Sequence, residues 1–339
     1  MIELENQDIK IVAEQPYNWD RLTNKTILIS GGTGFIGTFI IEVLRYRNVF
    51  YHQGIKVISL SRRGRVSDDM VKYLSADITQ KIDLDEDVNF ILHLASNTHP
   101  RQYAEDPIGT ITTNVFGCNN LLQLAVQNNI ERFLLASSVE IYGQGAKLPM
   151  LESYVGYIDC NNARSGYNEA KRTCEALCQS YRTQYGVDSV VVRLARVFGA
   201  DSKKDSKAMS QFMAKAVSGE DIILKSKGLQ RYSYCYVADA ASAIFNVLMN
   251  GKDGEVYNVA DEDENMTLGE YAEYIAGLAN RKVIMQIEDD NSVSKATYAL
   301  LDTSKIKGLG WKPIYSIKDA LNRTFLIYKE RKQSKERKI

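Results

Sequence analysis

An unbroken apolar strand that runs straight into three glycines constrains this chain more than any other feature. Thr26-Ile27-Leu28-Ile29-Ser30 lacks polar–apolar alternation, as a strand covered on both faces should. Gly31, Gly34 and Gly37 follow at every third position, and Phe39-Ile40-Ile41-Glu42-Val43-Leu44 reads as a helix. Glycines allow a backbone to approach an anion closely, and a helix start presents unpaired N–H groups to it. Strand, turn and helix together predict a dinucleotide cradle formed by Gly31, Thr33, Gly34, Phe35, Ile36 and Gly37.

Further strands are expected at Lys56–Leu60, Val71–Ala76, Phe90–Ala95, Arg132–Ser137 and Ser189–Leu194, with long helices at Thr112–Gln127 and Tyr167–Tyr185. This alternation predicts an α/β fold, a Rossmann-like doubly wound parallel sheet. Past Gly199 the pattern loosens. Helices at Met209–Val217, Val237–Met249, Leu268–Ala279 and Ile317–Tyr328 alternate with short strands at Ile222–Leu224, Val256–Val259 and Val283–Met285. The expected organisation is an N-terminal extension (1–24), a dinucleotide-binding domain (25–198), a smaller α/β substrate lobe (199–328) from which segments can return to the sheet, and a solvated charged tail (329–339).

Lys+Arg and Asp+Glu are both 42, so no basic field points to nucleic acid as a partner. No apolar run has the length of a membrane span, and Met1–Lys10 is mixed and charged, unlike a signal peptide. These features lead to the expectation of a cytoplasmic protein with no membrane partner. The five cysteines include Cys174 and Cys178, four apart on one helix face, where packing is the expected role. Neither they nor His52, His93 and His99 have metal-ligand spacing.

Tyr167 and Lys171 are also four apart, hence on one helix face. A phenol ionises near pH 10, at about three pH units above neutrality, but a neighbouring ammonium favours the phenolate. Ser138 follows a strand, at the carboxyl edge of the sheet where ligands bind in such folds. Ser138, Tyr167 and Lys171 are therefore candidates for proton transfer coupled to redox chemistry at the cofactor.

Gly-Thr-Gly-Phe-Ile-Gly at 32–37, Leu135–Gly143, Ala163–Arg172, Leu92–Ala95, Asp106-Pro107, Asn114 and Gly117 resemble the extended short-chain dehydrogenase/reductase superfamily. They are similar to its nucleotide-sugar epimerases, dehydratases and decarboxylases. The resemblance runs from about residue 25 to 325, nearly the whole chain. It implies that Asp77, Ile78, Leu94 and Ala95 lie along the cofactor. Ser96, Arg164, Arg196, Arg231 and Tyr232 would lie along a nucleotide-sugar substrate. It also implies acid/base work by Glu140 at the sugar, and a homodimer through helices near 113–127 and 167–185. Ser61-Arg62-Arg63 ends the second strand where an acidic residue would favour NAD. These arginines lean toward NADP, and both NAD and NADP fit.

Three positions depart from that pattern. Val139 stands where dehydratases carry Asp and decarboxylases usually Ser. Tyr232 stands where a diphosphate-binding Arg is usual, beside Arg231. Arg196 stands where Asn is usual, and as a cation it could receive a carboxylate or phosphate or pair with an acid such as Asp201. The expected function is a nucleotide-sugar epimerase/dehydratase-type enzyme working through a transient 4-keto sugar. The alternatives are an NADPH-dependent keto-sugar reductase, a UDP-uronic acid decarboxylase, and a non-catalytic dinucleotide sensor.

Overall fold

Seven parallel strands form the central sheet of the computed structural model, which describes residues 2–336 apart from 63, 97–102, 104, 144–148, 202–206, 262–265 and 288–297. Arg63 and His99 thus lie outside the described residues. The strands are β1 (Thr26–Ser30), β2 (Lys56–Ser61), β3 (Val71–Ser75), β4 (Phe90–His93), β5 (Arg132–Ser138), β6 (Ser189–Leu194) and, after the short β7 (Arg196–Phe198), β8 (Ile222–Leu224), β9 (Arg231–Tyr232) and β10 (Tyr234–Tyr236), the returning β11 (Val256–Val259). Their order is β11-β6-β5-β4-β1-β2-β3. The direction of winding reverses between β1 and β4, and this switch point opens a crevice at the carboxyl ends of both strands.

The central strands β1, β4, β5 and β6 are almost wholly buried because both faces of the sheet are covered there, whereas the edge strand β3 exposes Lys72 and Ser75. In β1, Ile27 and Ile29 face one side and Leu28 the other. Helices α1 (Glu3–Ala13), α2 (Phe35–Tyr51) and a later helix, Val237–Asn250, cover the first side. Helices α3 (Pro107–Gln127) and α4 (Ser165–Tyr185) cover the second, where Cys118, Cys174 and Cys178 pack as small core residues. The remaining elements are α5 (Ala208–Ser218), α6 (Val237–Asn250, the later helix named above), α7 (Leu268–Leu278), α8 (Ser304–Lys307) and α9 (Ile317–Glu336), together with β12 (Val283–Met285) and β13 (Tyr298–Ala299). These short strands pair in parallel two-stranded ribbons, β7 with β10, β8 with β12 and β9 with β13.

The sequence predicts no element before residue 24 and none past residue 328, yet the structure has helix in both stretches. The N-terminal extension is a helix whose Ile9, Val12 and Ala13 are buried in the main core. The charged tail does not fray at residue 329: α9 continues to Glu336. Arg331 holds it down, donating to the Ala200 carbonyl at 2.8 Å and pairing with Glu5 of α1. No helix among the described residues is long and apolar enough to cross a membrane.

Candidate active site

At the end of β1 the chain turns so tightly that side chains are excluded. Gly31 has φ +79°, and a Cβ there would come within 2.9 Å of the Ala95 backbone at the end of β4. A Cβ on Gly37 would come within 2.3 Å of the Gly31 carbonyl. Gly34 begins α2 without a side chain to cap it, so the first-turn N–H groups at Phe35, Ile36 and Gly37 have no side-chain partner there. Thr33 lies in the same turn. An uncapped helix start behind a turn of this closeness fits the pyrophosphate of a dinucleotide.

The flanking strand ends carry the other cofactor-side candidates. Leu94 N–H donates to the Ser30 carbonyl at 3.1 Å, and Ala95 N–H to the Ser30 hydroxyl at 3.3 Å. On the β2–β3 side, Ser61 pairs with Ser75 in register, and Arg62 is exposed. Asp77 is exposed as well. Its carboxylate accepts from the N–H and hydroxyl of Thr79, both at 2.9 Å, which holds it below the usual carboxylate range, and the Arg62 charge adds to this. Ile78 is buried beside Gly117 of α3.

The proton-transfer candidates meet on the other side of the switch point. Lys171 is buried on α4 and donates to the Ala136 carbonyl of β5 at 3.0 Å. Its ammonium sits 5.9 Å from the centre of the Tyr167 ring. Tyr167 is 5% exposed. Ser138 closes β5 and caps the following 3-10 turn, its hydroxyl oxygen accepting from Glu140 N–H at 3.2 Å. This leaves the hydroxyl proton free to be donated. Glu140 is half-buried and lies against α4 through Asn168, whose amide donates to the Glu140 carbonyl at 2.6 Å. His93, at the end of β4, is wholly buried, with Nδ1 2.7 Å from the Ser30 hydroxyl. Burial, then the Lys171 charge, lower its pKa to about 3, so it is neutral.

Two side chains with no role in the sequence reading join this group. Tyr103 stacks on Tyr167, with ring centres 4.5 Å apart and planes 15° apart. Burial first, then Tyr167 and Glu140, push its phenol far above the ordinary range, while Arg164 opposes them. Asn168 was visible as the residue after Tyr167, but only the packing of α4 on the 3-10 turn gives it a partner.

The substrate-side candidates separate. Ser96 donates to Asn114 of α3 at 2.9 Å. Arg164, at the exposed start of α4, belongs to the Tyr103 neighbourhood. Arg196 lies 3.6 Å from Glu140 and directly over the Tyr232 ring. Arg231 turns the other way, with Nη2 4.0 Å from Glu270 at the start of α7. Neighbouring residues of a strand face opposite sides, so Tyr232 and Arg231 cannot both face Arg196.

Fold and site together define a Rossmann-like enzyme with a glycine-turn cradle and a tyrosine–lysine pair. The chain belongs to the NAD-dependent epimerase/dehydratase family, which matches residues 27–260. It is 32% identical to UDP-glucuronic acid decarboxylase 3 of Arabidopsis thaliana over 310 residues, 88% of this chain and 87% of that one. With UDP-glucuronic acid decarboxylase 1 of Danio rerio it shares 30% identity over 90% of this chain and 72% of that one. A UDP-glucose 4-epimerase from Thermotoga maritima has the same fold, with a TM-score of 0.77 at 22% identity, covering 91% of this chain and 99% of that one. So does a dTDP-glucose 4,6-dehydratase from Streptomyces venezuelae with NAD bound, with a TM-score of 0.78 at 23% identity, covering 91% and 98%.

Proposed function

We propose that this chain modifies a nucleotide sugar by oxidising its carbon 4, working on the resulting 4-keto sugar, and reducing it again within one turnover. The observation that carries this reading is the gathering of Tyr167, Lys171, Ser138 and Glu140 at the carboxyl ends of the strands, across the switch point from the glycine turn. NAD, or NADP, bound in that crevice would supply the acceptor and donor of hydride. Tyr167 takes the proton of the sugar hydroxyl. Lys171, anchored on Ala136, keeps its ammonium 5.9 Å from the centre of the Tyr167 ring and fixes the helix that carries both side chains. Ser138 donates its free proton to the sugar oxygen, orienting it toward Tyr167. Glu140 moves protons at the keto sugar, its backbone held by Asn168.

Decarboxylation of a UDP-uronic acid is a second reading. Oxidising carbon 4 of a uronic acid makes a β-keto acid, which loses carbon dioxide readily. The names of the Arabidopsis and Danio relatives and the cation beside Glu140 favour it. We further infer a cytoplasmic homodimer through α3 and α4, supported by the exposed Ile111, Phe116 and Val126 on α3.

The experiment is a panel of UDP-, dTDP-, CDP- and GDP-sugars, acidic and neutral, given to the purified protein with product and cofactor followed together. Product without net cofactor consumption is expected. NADPH consumed mole for mole with a keto sugar would make the protein a reductase.

A further inference from the structure

Arg196 is held in a way that the chemistry above does not use. Its backbone N–H donates to the Ser233 carbonyl at 3.2 Å, tying β7 to the chain just before β10. β7 runs beside β10 with Arg196 opposite Tyr234. Tyr232, two residues earlier and so on the same face, is 8% exposed. The Arg196 guanidinium carbon lies 3.7 Å from the centre of the Tyr232 ring, a stacking distance. An aromatic ring occupies the face of a guanidinium and leaves its N–H groups pointing outward in the plane.

Those in-plane groups are incompletely used. Nη2 is 3.6 Å from Glu140 Oε1, an ion pair too long for a hydrogen bond. Nη1 is buried without a hydrogen-bond partner among the described residues. A buried N–H without an acceptor is unfavourable, so the site favours a ligand that brings one. The acceptor best matched to a planar fork is a carboxylate or a phosphate. Arg196 stands beside Glu140, the side chain assigned to the sugar, so an anion there is borne by the sugar and not by the diphosphate.

We propose that Arg196, backed by Tyr232, is a specificity-determining residue that receives the carboxylate of an acidic sugar. The inference rests on the nucleotide-sugar reading above and deepens it. Without Arg196 the incoming carboxylate would face the Glu140 carboxylate unshielded; a neutral hexose makes no such demand. Arg196 thus accounts for selection of the substrate, and Tyr232 for the stiffness with which the cation is presented.

The test is calorimetric titration of the full chain with UDP, UDP-glucose and UDP-glucuronic acid, which needs no turnover. Wild type is expected to bind UDP-glucuronic acid at least about 10-fold more tightly than UDP-glucose. Arg196→Gln should weaken UDP-glucuronic acid about 10- to 100-fold and change UDP and UDP-glucose by less than about 3-fold. Arg196→Lys, which keeps the charge but loses the fork, should fall between. Thermal melting of both variants checks that they fold. Equal weakening of all three ligands would put Arg196 on the diphosphate and overturn the inference, as would no change in any. A wild-type chain that binds UDP-glucuronic acid no more tightly than UDP-glucose, or that binds neither, contradicts this inference; the nucleotide-sugar reading itself falls only if the chain also binds no member of the UDP-, dTDP-, CDP- and GDP-sugar panel above.

Discussion

Tyr167 has little freedom. Its ring is pressed against Tyr103 and its helix is pinned to β5 by the bond from Lys171 to Ala136. Removing only the hydroxyl should therefore leave the packing intact. Tyr167→Phe is expected to lower kcat by about a hundred- to ten-thousand-fold with the dinucleotide still bound, measured as turnover alongside nucleotide content. Turnover within a few-fold of wild type would remove Tyr167 from the reaction. Gly37→Ala tests the opposite end of the crevice. Its Cβ would meet the Gly31 carbonyl at 2.3 Å and Gly32 Cα at 2.7 Å, both backbone atoms that cannot swing aside. Loss of bound dinucleotide and a destabilisation of about 1–3 kcal/mol are expected in binding and melting experiments. Glycines, tyrosine, lysine and serine were all legible as residues because each belongs to a short local motif. Tyr103 and Asn168 were not, because their roles come from contacts between segments far apart in the chain. Arg196 was legible as a cation that could receive an anion or pair with a nearby acid such as Asp201; the acid the structure brings to it is Glu140, on the turn after β5, which no local spacing indicates.

At the scale of elements, periodicity reproduced the sheet closely: Thr26–Ser30, Ser189–Leu194 and Val256–Val259 begin and end where expected. Buried parallel strands are continuous apolar runs, and such runs have sharp edges. The destination of Val256–Val259 was less plain, since it lies in the stretch expected to form a substrate lobe yet pairs with β6 as the seventh strand. Helix α1 was missed because its surface is charged, although Ile9, Val12 and Ala13 have helical spacing. Helix α4 is fastened to the sheet by a polar network as well as by its apolar face. Glu175, one turn beyond Lys171, receives the guanidinium of Arg193 at 2.7 Å and the hydroxyl of Ser137. Arg193 also donates to Tyr142, which in turn donates to Asn258 of β11. Both charges are about nine-tenths buried, so removing one leaves the other stranded. Arg193→Met is expected to cost about 3–5 kcal/mol in urea unfolding. A loss below about 1 kcal/mol would mean that the network is solvated and weak.

Across the whole molecule, the two ends of the chain are clamped together over the core. Asp8 of α1 accepts from Tyr236 at 2.6 Å, Tyr315 at 2.8 Å and Arg323 of α9 at 2.8 Å. Nearby, Asp239 is buried and accepts from Ile314 N–H. Burial pushes the Asp239 carboxyl up to about 8. Its ordinary value is about 4, so across neutral pH the folded chain holds a proton that the unfolded chain has released. The stability this group contributes is complete below about pH 4, falls as pH rises toward 8, and is constant beyond. Asp239→Asn should therefore gain stability relative to wild type between those pH values in urea titrations. A difference independent of pH would show that Asp239 is ionised in the folded protein.

The central claim is that oxidation and reduction take place on one sugar within one turnover. The most direct measurement uses a nucleotide-sugar substrate carrying deuterium on carbon 4, turned over by protein with its bound dinucleotide in the presence of excess unlabelled cofactor. The account predicts that the product sugar keeps the deuterium and that the free cofactor pool gains none. Deuterium appearing in the free pool, with product formed only as cofactor is consumed, would contradict it.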